Sequence, residues 1–128
     1  MTLFEIAPLA AVAVLVLVMA RIAGRGGEPA KNAWFGPAII CVLFLAWSLW
    51  AVVREGPLGF WPIHTANAWG NQVWFDLLIA IGVGWFFLAP KAKAAGMNVW
   101  LWMGLTLCSG TIGVLAMLSR YLYLAQRN

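Results

Sequence analysis

Leu9-Ala10-Ala11-Val12-Ala13-Val14-Leu15-Val16-Leu17-Val18-Met19-Ala20 carries no polar side chain, and it sits inside an apolar run from Leu3 to Ala23 whose far end holds Arg21. A run of this length matches the roughly 20 residues an α-helix needs to cross a hydrocarbon core about 30 Å thick. Its leading residues include Glu5 and no Lys or Arg, and the positive charges come at its far end and beyond. That order is the reverse of a cleaved secretory signal, so the run reads as a retained anchor.

Outward from this anchor, Gly24-Arg25-Gly26-Gly27-Glu28-Pro29-Ala30-Lys31-Asn32 is dense in turn formers and separates it from a second apolar stretch over residues 34–53. Pro37 falls in the first turn of that stretch, where a missing N–H costs nothing. Residues 54–70 mix Gly56-Pro57, Phe60-Trp61-Pro62, His64 and Trp69, a composition suited to a loop lying among lipid headgroups. A third helix is expected over 71–89, stopped by Pro90, and a fourth over 97–125 beyond the basic turn Lys91-Ala92-Lys93. The fourth is longer than a bilayer requires, as tilt or a projecting end would explain. The expected fold class is all-α: a polytopic membrane protein, an antiparallel bundle of four transmembrane helices forming a single membrane domain over 1–128.

Composition agrees. Of 128 residues, 64% are hydrophobic and 9% charged, against about 25% charged in soluble domains. Mean hydropathy is +0.89. Four spans leave only connectors, with no separate catalytic domain. The net charge of +4 comes from Lys and Arg scattered at helix ends rather than gathered in a basic run, which argues for a membrane surface and against nucleic acid. Membrane lipid is the expected partner, with a homo-oligomer or a larger membrane complex beside it. Cys41 and Cys108 lack CxxC spacing and read as small core residues.

Arg21, Arg25, Lys31, Lys91 and Lys93 flank the first and third connections, and Arg54, Arg120 and Arg127 the opposite side. By the positive-inside rule this distribution places both termini and the aromatic loop on the outer face of a bacterial inner membrane.

Asp76 is the residue most expected to carry function, because a carboxylate inside an apolar helix is costly unless paired, protonated or wetted. Arg120 is its expected partner if the fourth helix ends on the same face. Thr106, Gly110, Gly113, Ala116, Met117 and Arg120 follow helical spacing and form a small or polar stripe, to which Ala80 and Gly84 offer a matching surface. Glu55, His64, Asn67 and Asn71 join Asp76 and Arg120 as candidates for a polar site on the outer side. The competing reading makes Asp76 and Arg120 a structural ion pair pinning two helices. A single histidine argues against a bis-histidine haem or a multi-histidine metal site within one chain, and no metal or cofactor is expected. Of the nine Trp, Trp34, Trp50, Trp61, Trp69 and Trp100 fall near predicted boundaries as an anchoring belt, and Trp47, Trp74, Trp85 and Trp102 are read as packing.

Asn67, Phe75-Asp76-Leu77, Trp85, Gly110-x-x-Gly113 and Ser119-Arg120-Tyr121-Leu122-Tyr123 resemble the pattern of an uncharacterised family of small bacterial integral membrane proteins, a domain of unknown function. The resemblance covers the second half of the chain and implies no activity. It implies that Asp76 and the last glycine-rich helix are the parts such a family is built around. The small multidrug exporters share the size and the four-helix plan, but they depend on an embedded Glu in the first helix. The only acid in that helix here is Glu5, near its end.

The function that follows is an accessory or interaction subunit of a membrane assembly. The alternatives are a proton- or cation-coupled carrier oligomer using Asp76, and a lipid-, quinone- or pigment-binding membrane protein. No nucleophile, paired carboxylates or phosphate-binding glycine loop favours an enzyme.

Overall fold

The computed structural model describes residues 1–127, and among them all regular structure is helical. The chain divides into two compact units, Met1–Ala30 and Lys31–Asn128.

The first unit is α1 (Leu3–Ala23) and the linker after it. The Thr2 N–H donates to a Glu5 carboxylate oxygen at 2.6 Å, closing the first turn with a negative charge at the positive end of the helix dipole. Gly24 closes the other end by donating to the Ala20 carbonyl at 2.9 Å. None of the α1 residues is buried within this unit. A helix apolar on every side has no preferred face to turn toward a protein core.

The second unit holds α2 (Phe35–Glu55), α3 (Phe60–Thr65), α4 (Ala68–Ala94), α5 (Val99–Ser109) and α6 (Thr111–Arg127). Helices α1, α2 and α4 are long and apolar enough to cross a membrane; α5 is apolar but has only 11 residues. At ~1.5 Å per residue α5 is roughly half as long as a span requires.

Three expectations change. Residues 54–70 are not an open loop throughout, because Phe60–Thr65 forms α3 within them. Pro90 does not stop the third helix, which runs on to Ala94. Pro90 forfeits one hydrogen bond, but Ala92 in the turn beyond it is fully buried against the cluster of Leu88, Met97 and Met117. Tertiary packing holds a turn that local propensity would release. The helix ends where Gly96 adopts φ +86° and the Ala95 N–H reaches the Lys91 and Ala92 carbonyls.

The third change reorganises the fold. The expected helix over 97–125 is two helices, broken at Gly110. Gly110 has φ +64° and ψ −129°, a conformation open to glycine and almost closed to residues bearing a Cβ. The chain reverses there. Thr106 on α5 meets Gly113 on α6 so closely that a Cβ on Gly113 would lie 2.6 Å from the Thr106 Cα. A helical hairpin results, with α6 antiparallel to α5.

Helix α6 is the hub. Against α4 it packs Val114 beside Gly84, and Met117 with Leu88 and Ala92; Trp85, Val99, Trp102, Tyr121 and Leu124 close around that core. Helix α5 runs back along α4 from the turn at Gly96, so α6, reversed again, runs parallel to α4. Helix α2 lies antiparallel along the other flank of α6. Ser119 donates to the Trp34 carbonyl at 2.9 Å, Cys41 to the Ile112 carbonyl at 3.5 Å, and the Asn32 N–H to Gln126 Oε1 at 3.0 Å. The second half of α2 and the first half of α4 extend past the hairpin tip and expose Phe44, Leu49, Val53, Val73 and Ile79.

Candidate functional site

The α5–α6 reversal separates the two residues expected to pair. Asp76 precedes Gly84 on α4, and Arg120 follows Val114 on the parallel α6, so they stand roughly 20 Å apart along the helix axes at ~1.5 Å per residue. No ion pair joins them. The polar groups of the second unit collect instead at its two ends.

At one end lies the α3–α4 corner. Asn67 caps α4 by accepting from the Gly70 N–H at 2.8 Å, and the Asn71 amide donates to the His64 carbonyl at 2.7 Å. Gly70 lets the corner close, since a Cβ there would collide with the Ile63 carbonyl. The His64 ring lies 5.1 Å from Trp74, and Trp74 stacks on Phe60 at 5.9 Å and meets Trp61 edge-on at 6.1 Å. His64 Nδ1 is buried with no hydrogen-bond partner. His64, Asn67 and Asn71 are therefore brought together, chiefly as the lock of a helical corner. Glu55, the last residue of α2, is exposed at this end, and Arg54 stands 5.4 Å over the Trp50 ring.

Asp76 is not part of that cluster. It is exposed on α4, beside exposed Val73, Phe75, Ile79 and Ala80, and it makes no hydrogen bond or ion pair with a described residue. The inward stripe of α4 is Trp74, Leu77, Ile81, Gly84 and Leu88, from which Asp76 is turned away.

The other end is cationic. Lys31, Lys91, Lys93, Arg120 and Arg127 all fall there, where α2 begins and α4 and α6 end. Arg120 approaches the Tyr123 ring to 5.8 Å and Arg127 to 5.5 Å, and Arg127 also donates to the Tyr123 hydroxyl at 3.4 Å. Two guanidinium groups thus share one aromatic ring, and no carboxylate among the described residues pairs with either. Beside Arg120 a groove of about 380 Å³ opens between α2 and α6, floored by Ala38, Cys41 and Ala116 and flanked by Trp34 and Tyr123. Sequence reasoning missed this groove because it assigned Arg120 to the opposite face.

The small-residue stripe also divides. Gly84 meets Val114 of α6, Gly113 meets Thr106 of α5, Gly110 makes the turn, and Ala80 is exposed. Cys108 is exposed rather than in a core, and Cys41 is half-buried with a weak S–H bond to α6. Trp85 and Trp102 pack on the core as expected, whereas Trp69 and Trp100 are 77% and 75% exposed. Among the described residues, no three His, Cys, Asp or Glu side chains gather as metal ligands would. No family model, curated protein or solved structure matches the chain.

Proposed function

We propose that the chain is a small polytopic membrane protein that acts as an interaction subunit, with α1, α2 and α4 spanning the bilayer and α5–α6 a re-entrant hairpin. Helices apolar on all sides and a core of few buried side chains support bilayer insertion, since lipid replaces the core that a soluble chain of this size must build. The cationic end is the cytoplasmic one under the positive-inside rule. Within the second unit Lys31, Lys91, Lys93, Arg120 and Arg127 share that end, and of the Lys and Arg residues Arg54 alone stands at the other. The carboxyl-terminal helix then finishes on the cytoplasmic face rather than the outer face.

The observation that carries the interaction role is Asp76. It lies about 12 Å into α4 at ~1.5 Å per residue, on an apolar surface, without a partner among the described residues. An uncompensated carboxylate at membrane depth costs up to about 3 kcal/mol, and such residues ordinarily face a bundle interior or a paired group. A second chain that brings a cation or hydrogen-bond donor to this face removes the cost. Wild-type protein extracted in mild detergent is expected to run as an assembly heavier than one chain. Asp76→Leu is expected to run as a folded single chain with unchanged helical circular dichroism. A wild type that is already a single chain in both detergent and nanodiscs overturns the reading.

A further inference from the structure

The cationic end poses a problem that the interaction role leaves open. Arg120 and Arg127 both lie against the Tyr123 ring, and no carboxylate among the described residues pairs with either, which places two like charges around one ring and calls for an anion. The groove beside Arg120 is apolar along its floor and lies at the start of α2, where Trp34 is held to Ser119 and edge-on to Tyr123 at 5.6 Å. A ligand that satisfies both features has an anionic head and an apolar tail.

We infer that the α2–α6 groove binds an anionic phospholipid of the cytoplasmic leaflet, with its phosphate at the Arg120 and Arg127 guanidinium groups and an acyl chain along Ala38 and Ala116. The inference rests on the membrane placement proposed above and not on the role given to Asp76. Charge complementarity selects the occupant. Arginine holds phosphate oxygens through paired N–H donors, and basic pockets between helices on the cytoplasmic side take acidic headgroups. A zwitterionic lipid would bring its own cation toward two guanidinium groups. Arg120 lines the groove beside Trp34 and Tyr123, and a long basic side chain of this kind buries its stem against apolar surface while its charged end reaches toward polar headgroups.

Reconstitution into nanodiscs containing phosphatidylcholine and phosphatidylglycerol, followed by native mass spectrometry, tests the assignment. Wild-type protein is expected to retain phosphatidylglycerol in preference to phosphatidylcholine. Arg120→Gln is expected to lower that ratio about fivefold, the scale of one basic contact with an anionic lipid. Ala38→Trp, which fills the groove and leaves both charges in place, lowers it as well, and Arg54→Ala at the opposite end leaves it unchanged. Equal retention of the two lipids by wild type overturns the proposal, as does a ratio indifferent to both groove variants. Displacement of the retained lipid by inorganic phosphate alone overturns it in favour of a simple anion site. Bismaleimide joining of Cys41 between two copies, in a Cys108→Ser background, overturns it in favour of a second copy seated in the groove. Failure to enter nanodiscs at all would instead remove the membrane placement itself.

Discussion

Gly113 sits against the Thr106 backbone so tightly that a Cβ would lie 2.6 Å from the Thr106 Cα and 2.8 Å from its nitrogen. Backbone cannot yield as a flexible side chain can, so Gly113→Ala must push α5 off α6. The expected loss is about 1–3 kcal/mol, the usual cost of overpacking. Reversible unfolding in mixed micelles measures it. At Gly104, in the same hairpin, an added Cβ would meet nothing within 4 Å, so Gly104→Ala is expected to be neutral or to gain up to about 1 kcal/mol of helix propensity.

Thr106 is 4% exposed, and its hydroxyl finds no hydrogen-bond partner. Thr106→Val keeps the shape and removes the orphaned group. Stability is expected to stay level or rise by about 1 kcal/mol, because the desolvation cost of an unpaired hydroxyl disappears. A loss of several kcal/mol in the same unfolding assay would mean that the hydroxyl has a partner in the bilayer.

Gly110 turns the chain at φ +64° and ψ −129°. In Gly110→Ala that conformation is expected to cost about 1–3 kcal/mol, tipping the hairpin toward a continuous helix over residues 99–127. Ala125→Cys reports the change in a Cys41→Ser, Cys108→Ser background, read with an impermeant maleimide. With Gly110 present it is expected to react from the same side as Lys93→Cys, and Glu55→Cys from the opposite side. With Ala at 110, a fraction of Ala125→Cys moves to the Glu55 side. Reaction of Ala125→Cys and Glu55→Cys from one side in the Gly110 protein would restore four antiparallel spans.

Asn67 and Asn71 fasten the α3–α4 corner through backbone groups, Gly70 N–H and the His64 carbonyl. Asn67→Ala is expected to cost about 1 kcal/mol, the ordinary value of a helix N-cap. Hydrogen exchange at the first-turn amides of α4 is the local reading, since the Gly70 N–H is held by Asn67. Exchange there should quicken in Asn67→Ala and Asn71→Ala, and stay unchanged in Arg120→Gln at the far end.

Sequence alone was enough for the helical class and for α1, whose bounds follow from hydropathy and a change to glycine and charge. It also placed α2 to within two residues. These features are local, written in the transfer free energy of successive side chains and in turn chemistry. It could not show that Pro90 is passed, because Ala92 is held by Met97 and Met117 from elsewhere in the chain. Nor could it show that Gly110 reverses the chain, because glycine is tolerated inside an apolar helix and becomes a turn only when Thr106 and Gly113 meet. That one reversal is a tertiary event. It carries Arg120 away from Asp76 to the groove beside Trp34, so the charges were legible one by one while their partners were decided only by which way α6 runs.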